Sequence, residues 1–190
     1  TFQLARIFKE NPNIKLPFKR YQIGEVFRDE PIRTGRTRQF IQCDADIIGD
    51  QSTNADAECI ALISDILSEL NIKEFQIQVN NRKLLNAIIE SVEIKETKQV
   101  LREIDKIEKI GIDIVKGNLK KYASSNQIVT LFKLIEKPLE FFKDNAFEGA
   151  EELSSFIQKC GLYNIEVKFT PSIVRGFDYY TGMVFEVYDT

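Results

Sequence analysis

Two segments near the start of the chain alternate apolar and polar side chains with the period of two typical of β-strands. The first, YQIGEVFRDE, begins at Tyr21, and the second, QFIQCDADII, follows the basic loop PIRTGRTR. This layout predicts two antiparallel strands joined by a long connection. Alternation places Gln42, Asp44 and Asp46 on one face, flanked by Phe40 and Ile48. We expect the opposite face to pack in the core, with Ile41, Cys43, Ala45 and Ile47.

The rest of the chain mixes helical and strand patterns. STNADAECIALISDILSELN starts with capping residues and predicts an amphipathic helix ending at Asn71, with Ile60, Ile63, Leu67 and Leu70 at helical spacing. FQIQVNN then predicts a strand and RKLLNAIIE a short helix. Near the end, EELSSFIQKCG predicts a helix closed by Gly161, and IEVKFTP and DYYTGMVFEVY predict strands.

From residue 92 to residue 149 the alternation disappears, and apolar residues recur at helical spacing, as at Val100, Ile104 and Ile107 and then at Val129, Phe132 and Ile135. We interpret this stretch as a helical insertion between a first core segment, 1–91, and a second, 150–190. The predicted fold is α+β, an antiparallel β-sheet flanked by helices and interrupted by an α-helical module.

Composition excludes several kinds of chemistry. The 190 residues include no histidine, which excludes Ser-His and Cys-His nucleophile pairs and an imidazole proton shuttle. The three cysteines are far apart, so we predict no metal site and no disulfide framework. No apolar run suits a membrane, no signal peptide is evident, and we expect a cytoplasmic protein. The start without Met and the end within a strand pattern suggest a piece of a longer chain.

Four arginines in the loop region suggest an anionic ligand. Arg28, Arg33, Arg36 and Arg38 lie within eleven residues of a chain whose net charge is −3. Guanidinium groups stay charged and can bind phosphate or carboxylate oxygens with two hydrogen bonds. On composition alone, a solvated hairpin loop is an equally good explanation.

The order of these residues favours the ligand site. FRDEPIRTGRTRQFIQCDAD closely resembles motif 2 of class II aminoacyl-tRNA synthetases, and its QCDAD end resembles the histidine-specific branch in its archaeal and eukaryotic form. The resemblance implies direct roles for six residues: Arg28 at the α-phosphate and the histidine carboxylate, Glu30 at the adenine, Arg36 near the distal phosphates, Phe40 stacked on the base, and Gln42 and Asp46 at the amino acid. For Asp44 we expect no more than a supporting role in the site.

The segment RGFDYYTG, residues 175–182, carries a second resemblance. Its paired tyrosines alone suit a tyrosine-rich edge strand. As a unit it resembles the second histidine-specific signature of the family, with Phe177 where Leu is common. The match implies that Arg175 is the catalytic arginine and that Tyr179 and Tyr180 line the histidine pocket. The opening TFQLAR resembles the segment whose threonine meets the substrate amino group, which implies that role for Thr1, with Arg6 as structural support.

These motifs identify the chain as resembling the catalytic domain of the histidyl-tRNA synthetase family. That family implies activation of L-histidine with ATP to histidyl-adenylate and transfer to tRNA(His), with Mg²⁺ expected beside ATP and no tightly bound cofactor. Motif 1, motif 3 and the anticodon-binding domain are not found in the sequence, so we expect this piece alone to be inactive and the full-length protein to be a homodimer. The insertion has eight basic and five acidic residues over 94–121, which suits either solvated helices or contact with the tRNA acceptor arm.

Three other functions remain open. One is a non-catalytic regulatory subunit that partners ATP phosphoribosyltransferase, and another is a synthetase-like domain that senses uncharged tRNA in amino-acid-starvation kinases. A generic RNA-binding α+β domain is the third, and the acidic charge outside the basic loop disfavours it. The regulatory paralogues are expected to lose active-site residues. This chain retains Arg28, Gln42, Asp46, Arg175 and both tyrosines, which favours the enzyme.

Overall fold

The computed structural model describes residues 2–29, 31–175 and 180–190, without the side chain of Phe2. It divides into two compact units, Thr1–Ala55 and Asp56–Thr190, which are described separately below. This division follows none of the three segments expected from the sequence, so their boundaries stay a prediction. Within the described residues, no helix is long and apolar enough to cross a membrane.

The first unit is a helix followed by a long β-hairpin. Its elements are α1 (Phe2–Glu10), β1 (Phe18–Phe27) and β2 (Gln39–Ile48). The strands pair antiparallel, from Phe18 opposite Ile48 to Phe27 opposite Gln39. The ring of Phe8 on α1 packs edge-on against Phe18, with their centroids 5.4 Å apart. The strand pair predicted from alternation is therefore confirmed.

The expected orientation of this hairpin is wrong. Ile41 is 68% exposed, and its neighbours on the same face, Cys43 and Ala45, are exposed as well. The opposite face, which carries Gln42 and Asp46, is half-buried along β2. Alternation defines two faces but does not decide which one is covered, because burial depends on what packs against the sheet. The polar face is therefore the more enclosed one.

The second unit combines a three-stranded sheet with most of the helices. Its elements are α2 (Thr53–Glu69), which begins just before the unit boundary, β3 (Phe75–Asn81), α3 (Arg82–Ser91), α4 (Thr97–Ile104), α5 (Ile107–Ile110), α6 (Ile112–Leu119), α7 (Ser125–Ile135), α8 (Leu139–Asp144), α9 (Ala150–Leu162), β4 (Val167–Phe169) and β5 (Met183–Asp189). Residues 92–149 contain helices and no strand, as their pattern predicts.

The sheet of this unit has the order β4-β3-β5. β3 pairs antiparallel with β5, from Phe75 opposite Asp189 to Asn81 opposite Met183. β4 pairs parallel with β3, whereas the β1–β2 and β3–β5 pairings are antiparallel, as expected. The chain returns to β4 through helix α9, and a helical crossover joins parallel neighbours in the way a tight hairpin cannot. The α+β class is confirmed.

One apolar core joins the insertion to the rest of this unit. Helix α3 lies in it, with Leu84, Leu85, Ile88 and Ile89 at most 1% exposed. The same core contains Val100 and Leu119 of the insertion, and Val79 of β3 and Phe156 of α9. Residues 92–149 are therefore packed into the unit rather than attached to its surface.

Several element ends differ from the sequence predictions. Helix α9 continues past Gly161 to Leu162, and the left-handed residue that follows is Asn164. Strand β5 begins at Met183, so Tyr180 precedes the strand instead of lying within it. Leu70 and Val129, expected on apolar helix faces, are 65% and 52% exposed. Leu70 lies just beyond the end of α2, whereas Val129 lies within α7, and the period of the sequence does not specify which neighbours cover such positions in the fold.

Candidate active site

The half-buried face of the hairpin brings three predicted site residues into contact. Arg28 follows the last residue of β1, and its backbone N–H donates to the carbonyl of Arg38 at 2.8 Å, which continues the strand pairing. Its guanidinium lies over the ring of Phe40, with 4.9 Å between Cζ and the ring centroid. Its Nη2 donates to Oε1 of Gln42 at 2.7 Å. The arginine is thus held by a stacking contact and a hydrogen bond together.

The Gln42 amide is oriented at both ends. Its oxygen accepts from Arg28, and its Nε2 donates to Oδ1 of Asp44 at 2.7 Å. The carboxylate of Asp44 therefore holds the amide of Gln42, and its supporting role in a ligand site stays a prediction. An amide fixed at both ends offers a ligand a defined donor and acceptor geometry.

A tight turn shapes the loop between the strands. The backbone groups of Arg33 and Arg36 pair with each other across Thr34 and Gly35, at 2.9 and 3.2 Å. Gly35 has φ +74°, a conformation that favours glycine. The turn leaves an open cleft of about 280 Å³ lined by Arg28, Gly35, Arg36, Thr37 and Phe40. Two guanidinium groups beside one aromatic ring suit a ligand with a phosphate and a flat base.

Asp46 has a partner that sequence reasoning missed. Arg20 on β1 is directly opposite Asp46 on β2, and its Nη2 lies 2.7 Å from Oδ2 of Asp46, so the two side chains form an ion pair. The contact satisfies the distance of an ion pair, yet the buried Oδ2 accepts no hydrogen bond from any described residue. This oxygen is enclosed and faces the guanidinium of Arg20, so the place of Asp46 in a histidine pocket stays a prediction.

The remaining predicted site residues of the first unit are Arg6, Thr1 and Glu30. Arg6 pairs with Glu10 one turn along α1 at 2.7 Å, on an exposed surface, so its support is local to that helix. Thr1 and Glu30 lie outside the described residues, and their assigned roles stay predictions.

Arg175, in the second unit, is held in an unusual backbone conformation. Its φ is +54°, in the left-handed region that non-glycine residues rarely adopt. Its Nη1 contacts Oε1 of Glu186 on β5. Burial lowers the pKa of the guanidinium, but the hydrogen bond and charge of Glu186, helped by Tyr180, outweigh burial and hold this pKa above its ordinary value. Arg175 is therefore a fixed positive charge.

Buried polar residues hold the backbone on either side of the 175–182 segment. Asn80 is fully buried, and its Nδ2 donates to the carbonyls of Pro171 and Ile173, both at 3.0 Å. Arg82 donates from Nη1 to the carbonyl of Val174 at 3.3 Å and from its backbone to Gly182 at 2.8 Å. Sequence reasoning missed both residues, although the polar run NNR at the end of an apolar strand was a signal for them.

Tyr180 is the one tyrosine of the pair that is described; Tyr179 lies outside the described residues. Tyr180 is half-buried and borders a cavity of about 310 Å³ whose other lining is mostly polar. The cavity is lined by Arg82, Asn86, Glu90, Thr97, Lys98, Leu101, Tyr180 and Thr181. The hairpin and the 175–182 segment belong to different compact units, so their meeting in one site stays a prediction.

Comparisons with known proteins agree on one family. A family model described as histidyl-tRNA synthetase matches residues 1–190. A curated relative from Bacillus cereus, histidine–tRNA ligase 1, is 42% identical over 99% of this chain. The alignment covers 47% of that relative, so the chain spans about half the length of the curated relatives it matches. A bacterial relative at this identity does not support the archaeal and eukaryotic branch expected from QCDAD.

Solved structures agree on the fold. Histidyl-tRNA synthetase from Nostoc sp. PCC 7120 superposes with a TM-score of 0.86 at 31% identity, over 97% of this chain and 47% of that one. A protein described as ATP phosphoribosyltransferase regulatory subunit/histidyl-tRNA synthetase, from Bacillus halodurans C, gives a TM-score of 0.79 at 21% identity, over 98% and 52%, a likeness of fold alone. With a family match over every residue, this chain belongs to the histidyl-tRNA synthetase family.

Proposed function

We propose that this chain forms part of the catalytic domain of a histidine–tRNA ligase, an enzyme that activates L-histidine with ATP and transfers it to tRNA(His). The observation that carries the proposal is the contact of Arg28 with both Phe40 and Gln42, within a chain that matches the family throughout. One guanidinium then reaches both the nucleotide side and the amino-acid side of a site. Such an arrangement suits a reaction that joins the two substrates.

In this reaction the histidine carboxylate attacks the α-phosphorus of ATP, which gives histidyl-adenylate and releases pyrophosphate. A hydroxyl of the terminal adenosine of the tRNA then attacks the activated carbonyl and releases AMP. The first step brings two anions together, so positioning and charge stabilisation dominate the barrier. We assign this positioning and charge stabilisation to Arg28 and Arg175. No protein nucleophile is needed, which suits a chain without histidine.

ATP would occupy the cleft beside Arg28. Phe40 would stack on the adenine, Arg36 would meet the distal phosphates, and Glu30 would face the base. Mg²⁺ is expected to arrive on the ATP phosphates. Among the described residues, no group of three or more His, Cys, Asp or Glu side chains is arranged to hold a metal ion.

Histidine recognition would rest on polar groups that pair with the ring and the ammonium. Gln42 offers an oriented amide, and Asp46 offers a carboxylate that is held by its ion pair with Arg20. Tyr179, Tyr180 and Thr1 complete the proposed pocket. A site with buried polar groups rejects a substrate that leaves them unpaired, by about 10⁴-fold in favourable cases.

The insertion is proposed to contact the tRNA acceptor arm, although part of its positive charge has protein partners. Lys106 pairs with Glu103 at 2.6 Å, and Nζ of Lys116 lies 4.8 Å from the ring centroid of Phe132. Exposed lysines elsewhere in the insertion remain the better candidates for phosphate contact. We also propose that the full-length protein is a homodimer and that it works in the cytoplasm, where tRNA is charged.

Histidine-dependent ATP–pyrophosphate exchange by the full-length protein tests this function. Exchange that requires histidine, and that glutamine or lysine does not replace, supports the ligase. Histidine binding without exchange, measured by calorimetry on the same preparation, would contradict the enzyme and favour a regulatory module. Full-length protein is needed because this chain spans about half of its curated relatives.

A further inference from the structure

A continuous set of polar contacts leads from Arg175 to the helical insertion. Arg175 contacts Oε1 of Glu186, and Oε2 of the same carboxylate accepts from the hydroxyl of Tyr188 at 2.7 Å. The Tyr188 hydroxyl is also within donor distance of Oε2 of Glu108, at 3.0 Å, so its single proton is shared between the two carboxylates. Four side chains are thus linked in the order Arg175, Glu186, Tyr188 and Glu108.

The fold brings these residues together from three places. Glu186 and Tyr188 are two apart on β5, so they share a face of that strand. Glu108 belongs to the short helix α5 of the insertion. A small cavity of about 20 Å³ lies where they meet, lined on one side by Ile104, Asp105, Ile107 and Glu108 and on the other by the 172–174 loop, just before Arg175. The insertion therefore adjoins the backbone that leads to the arginine.

The chemistry of this set favours a fixed geometry. Glu186 uses one oxygen for Arg175 and the other for Tyr188, so neither contact competes with the other. Burial and the two nearby carboxylates raise the pKa of the Tyr188 phenol well above its usual range, which keeps the hydroxyl a neutral donor. A left-handed backbone such as that of Arg175 persists only where its surroundings hold it.

We propose that Glu186 and Tyr188 are positioning residues for Arg175, and that Glu108 extends this support so that the helical insertion sets where the guanidinium lies. The inference rests on the proposed function, which gives Arg175 its role at the α-phosphate. It adds that the insertion contributes to histidine activation even before tRNA binds.

The first arm of the test measures ATP–pyrophosphate exchange by full-length Tyr188→Phe, Glu108→Gln and the double variant. We expect kcat to fall about tenfold in Tyr188→Phe, since small displacements of a charge-stabilising group are costly, while KM for histidine changes less than about twofold. The kcat of Glu108→Gln should fall less. The kcat of the double variant should be no lower than that of Tyr188→Phe, because the effects of substitutions within one contact network are not additive. Tyr122→Phe, which removes another hydroxyl from the insertion, is the control.

The second arm reads the position of Arg175 without catalysis. Phenylglyoxal labelling followed by peptide mass spectrometry gives the modification rate of Arg175 relative to exposed Arg33 in the same sample. We expect Tyr188→Phe and Glu108→Gln to raise this ratio severalfold and Tyr122→Phe to leave it unchanged, at equal thermal unfolding midpoints. If Tyr188→Phe does not fold, Glu108→Gln decides the question by itself, because Glu108 is exposed and its substitution should not disturb the core.

The outcomes separate the two proposals. Absence of exchange in the unsubstituted protein would refute the ligase, and the labelling ratio would then decide the positioning role by itself. Wild-type kcat in an active Tyr188→Phe, additive effects in the double variant, or an unchanged labelling ratio would each overturn the positioning role.

Discussion

The guanidinium of Arg28 stacks on the ring of Phe40, with 4.9 Å between Cζ and the centroid, while the same group donates to Gln42. Stacking fixes the plane of the guanidinium, and the hydrogen bond fixes its rotation within that plane. The arginine is thereby oriented before any ligand arrives, which lowers the cost of organising the site during reaction.

Replacing Arg28 should therefore remove transition-state stabilisation. We expect Arg28→Gln to lower kcat for ATP–pyrophosphate exchange by about 100-fold or more, the usual cost of one pre-organised donor. Arg28→Lys should recover part of that loss, because it keeps the charge but loses the planar stack. Arg33→Gln is the matched control, since Arg33 is in the same loop but does not line the cleft. Equal losses in Arg28→Gln and Arg33→Gln would point to loop charge alone.

Asp46 and Asp44 offer a matched pair on one face of β2. We expect Asp46→Asn to weaken histidine binding about 10- to 100-fold, because a hydrogen bond to a charged group contributes about 1.5–3 kcal/mol. Asp44→Asn should change binding less than about threefold, since an Asn oxygen can still accept from Gln42. Calorimetric titration with histidine measures both. Unchanged affinity in Asp46→Asn would remove this residue from the pocket.

The sequence predicts the hairpin and its faces, because alternation is a local property. It cannot predict which face is covered, because cover comes from residues distant in the chain. The same limit explains why Arg20 was missed, since its pairing with Asp46 depends on a register that the long loop leaves undefined. Asn80 and Arg82 were missed because buried polar residues that donate to backbone carbonyls follow no periodic pattern in the sequence. Their hydrogen-bond partners lie far away in the chain and are defined only by the fold.

The contacts among the motif residues of the hairpin could be predicted from the sequence, whereas the contact that holds Arg175 could not. Arg28, Gln42 and Phe40 were placed together by resemblance, and the hairpin register then explains their contact. No motif or pattern in the sequence indicated a role for Glu186. Its contact with Arg175 joins β5 to a loop eleven positions earlier, and only the β3–β5 pairing sets that approach.

Exposed lysines of the insertion provide a test of tRNA contact. Deleting residues 92–149 would remove core residues such as Val100 and Leu119, so substitutions are the sharper experiment. We expect Lys95→Gln, Lys98→Gln and Lys120→Gln together to weaken tRNA binding and to reduce its log–log salt slope by about 0.7–0.9 for each phosphate that is no longer neutralised by a lysine. Fluorescence titration at several salt concentrations measures the slope.

A matched triple outside the insertion controls for net charge. Lys9→Gln, Lys15→Gln and Lys73→Gln remove the same charge from exposed positions. If both triples reduce the slope equally, the attraction is a general charge effect and the insertion has no specific role. A reduction confined to the insertion triple supports contact there.

Cys160 and Cys43 should differ sharply in reactivity. Burial, with the negative charge of Asp56, raises the pKa of the Cys160 thiol from 9.0 to about 11, whereas Cys43 is exposed. We expect iodoacetamide at pH 8 to modify Cys43 and to spare Cys160 until the protein unfolds. Peptide mass spectrometry after timed labelling measures this, and equal rates would contradict the burial of Cys160.

The same shift has a consequence for stability. The folded state favours the neutral thiol, so it binds the proton more tightly than the unfolded state does. Its contribution to the free energy of unfolding is complete below pH 9 and is lost as the pH rises toward about 11. Urea unfolding across this range should show a decline that Cys160→Ala reduces. An identical decline in that variant would assign the effect to other groups.

Gly149 and Gly117 should respond oppositely to alanine. Gly149 has φ +83°, and an added Cβ would lie 2.8 Å from the backbone nitrogen of Leu84 and 2.9 Å from Oδ1 of Asn81, the side chain that caps α3. Backbone cannot yield easily, so Gly149→Ala should lower the free energy of unfolding by about 1–3 kcal/mol, the range for a strained conformation. The loss should be larger if the cap also breaks.

Gly117 lies within α6, and a Cβ there meets nothing within 4 Å. Gly117→Ala should raise the free energy of unfolding by about 0.5–1 kcal/mol, because glycine inside a helix is costlier than alanine. Urea unfolding followed by circular dichroism compares the two variants under one condition. Because both add one methyl group, a difference in sign isolates the backbone conformation and the close approach at Gly149. Loss of stability in both variants would mean that α6 does not tolerate the change, and the assignment of open space around Gly117 would be wrong.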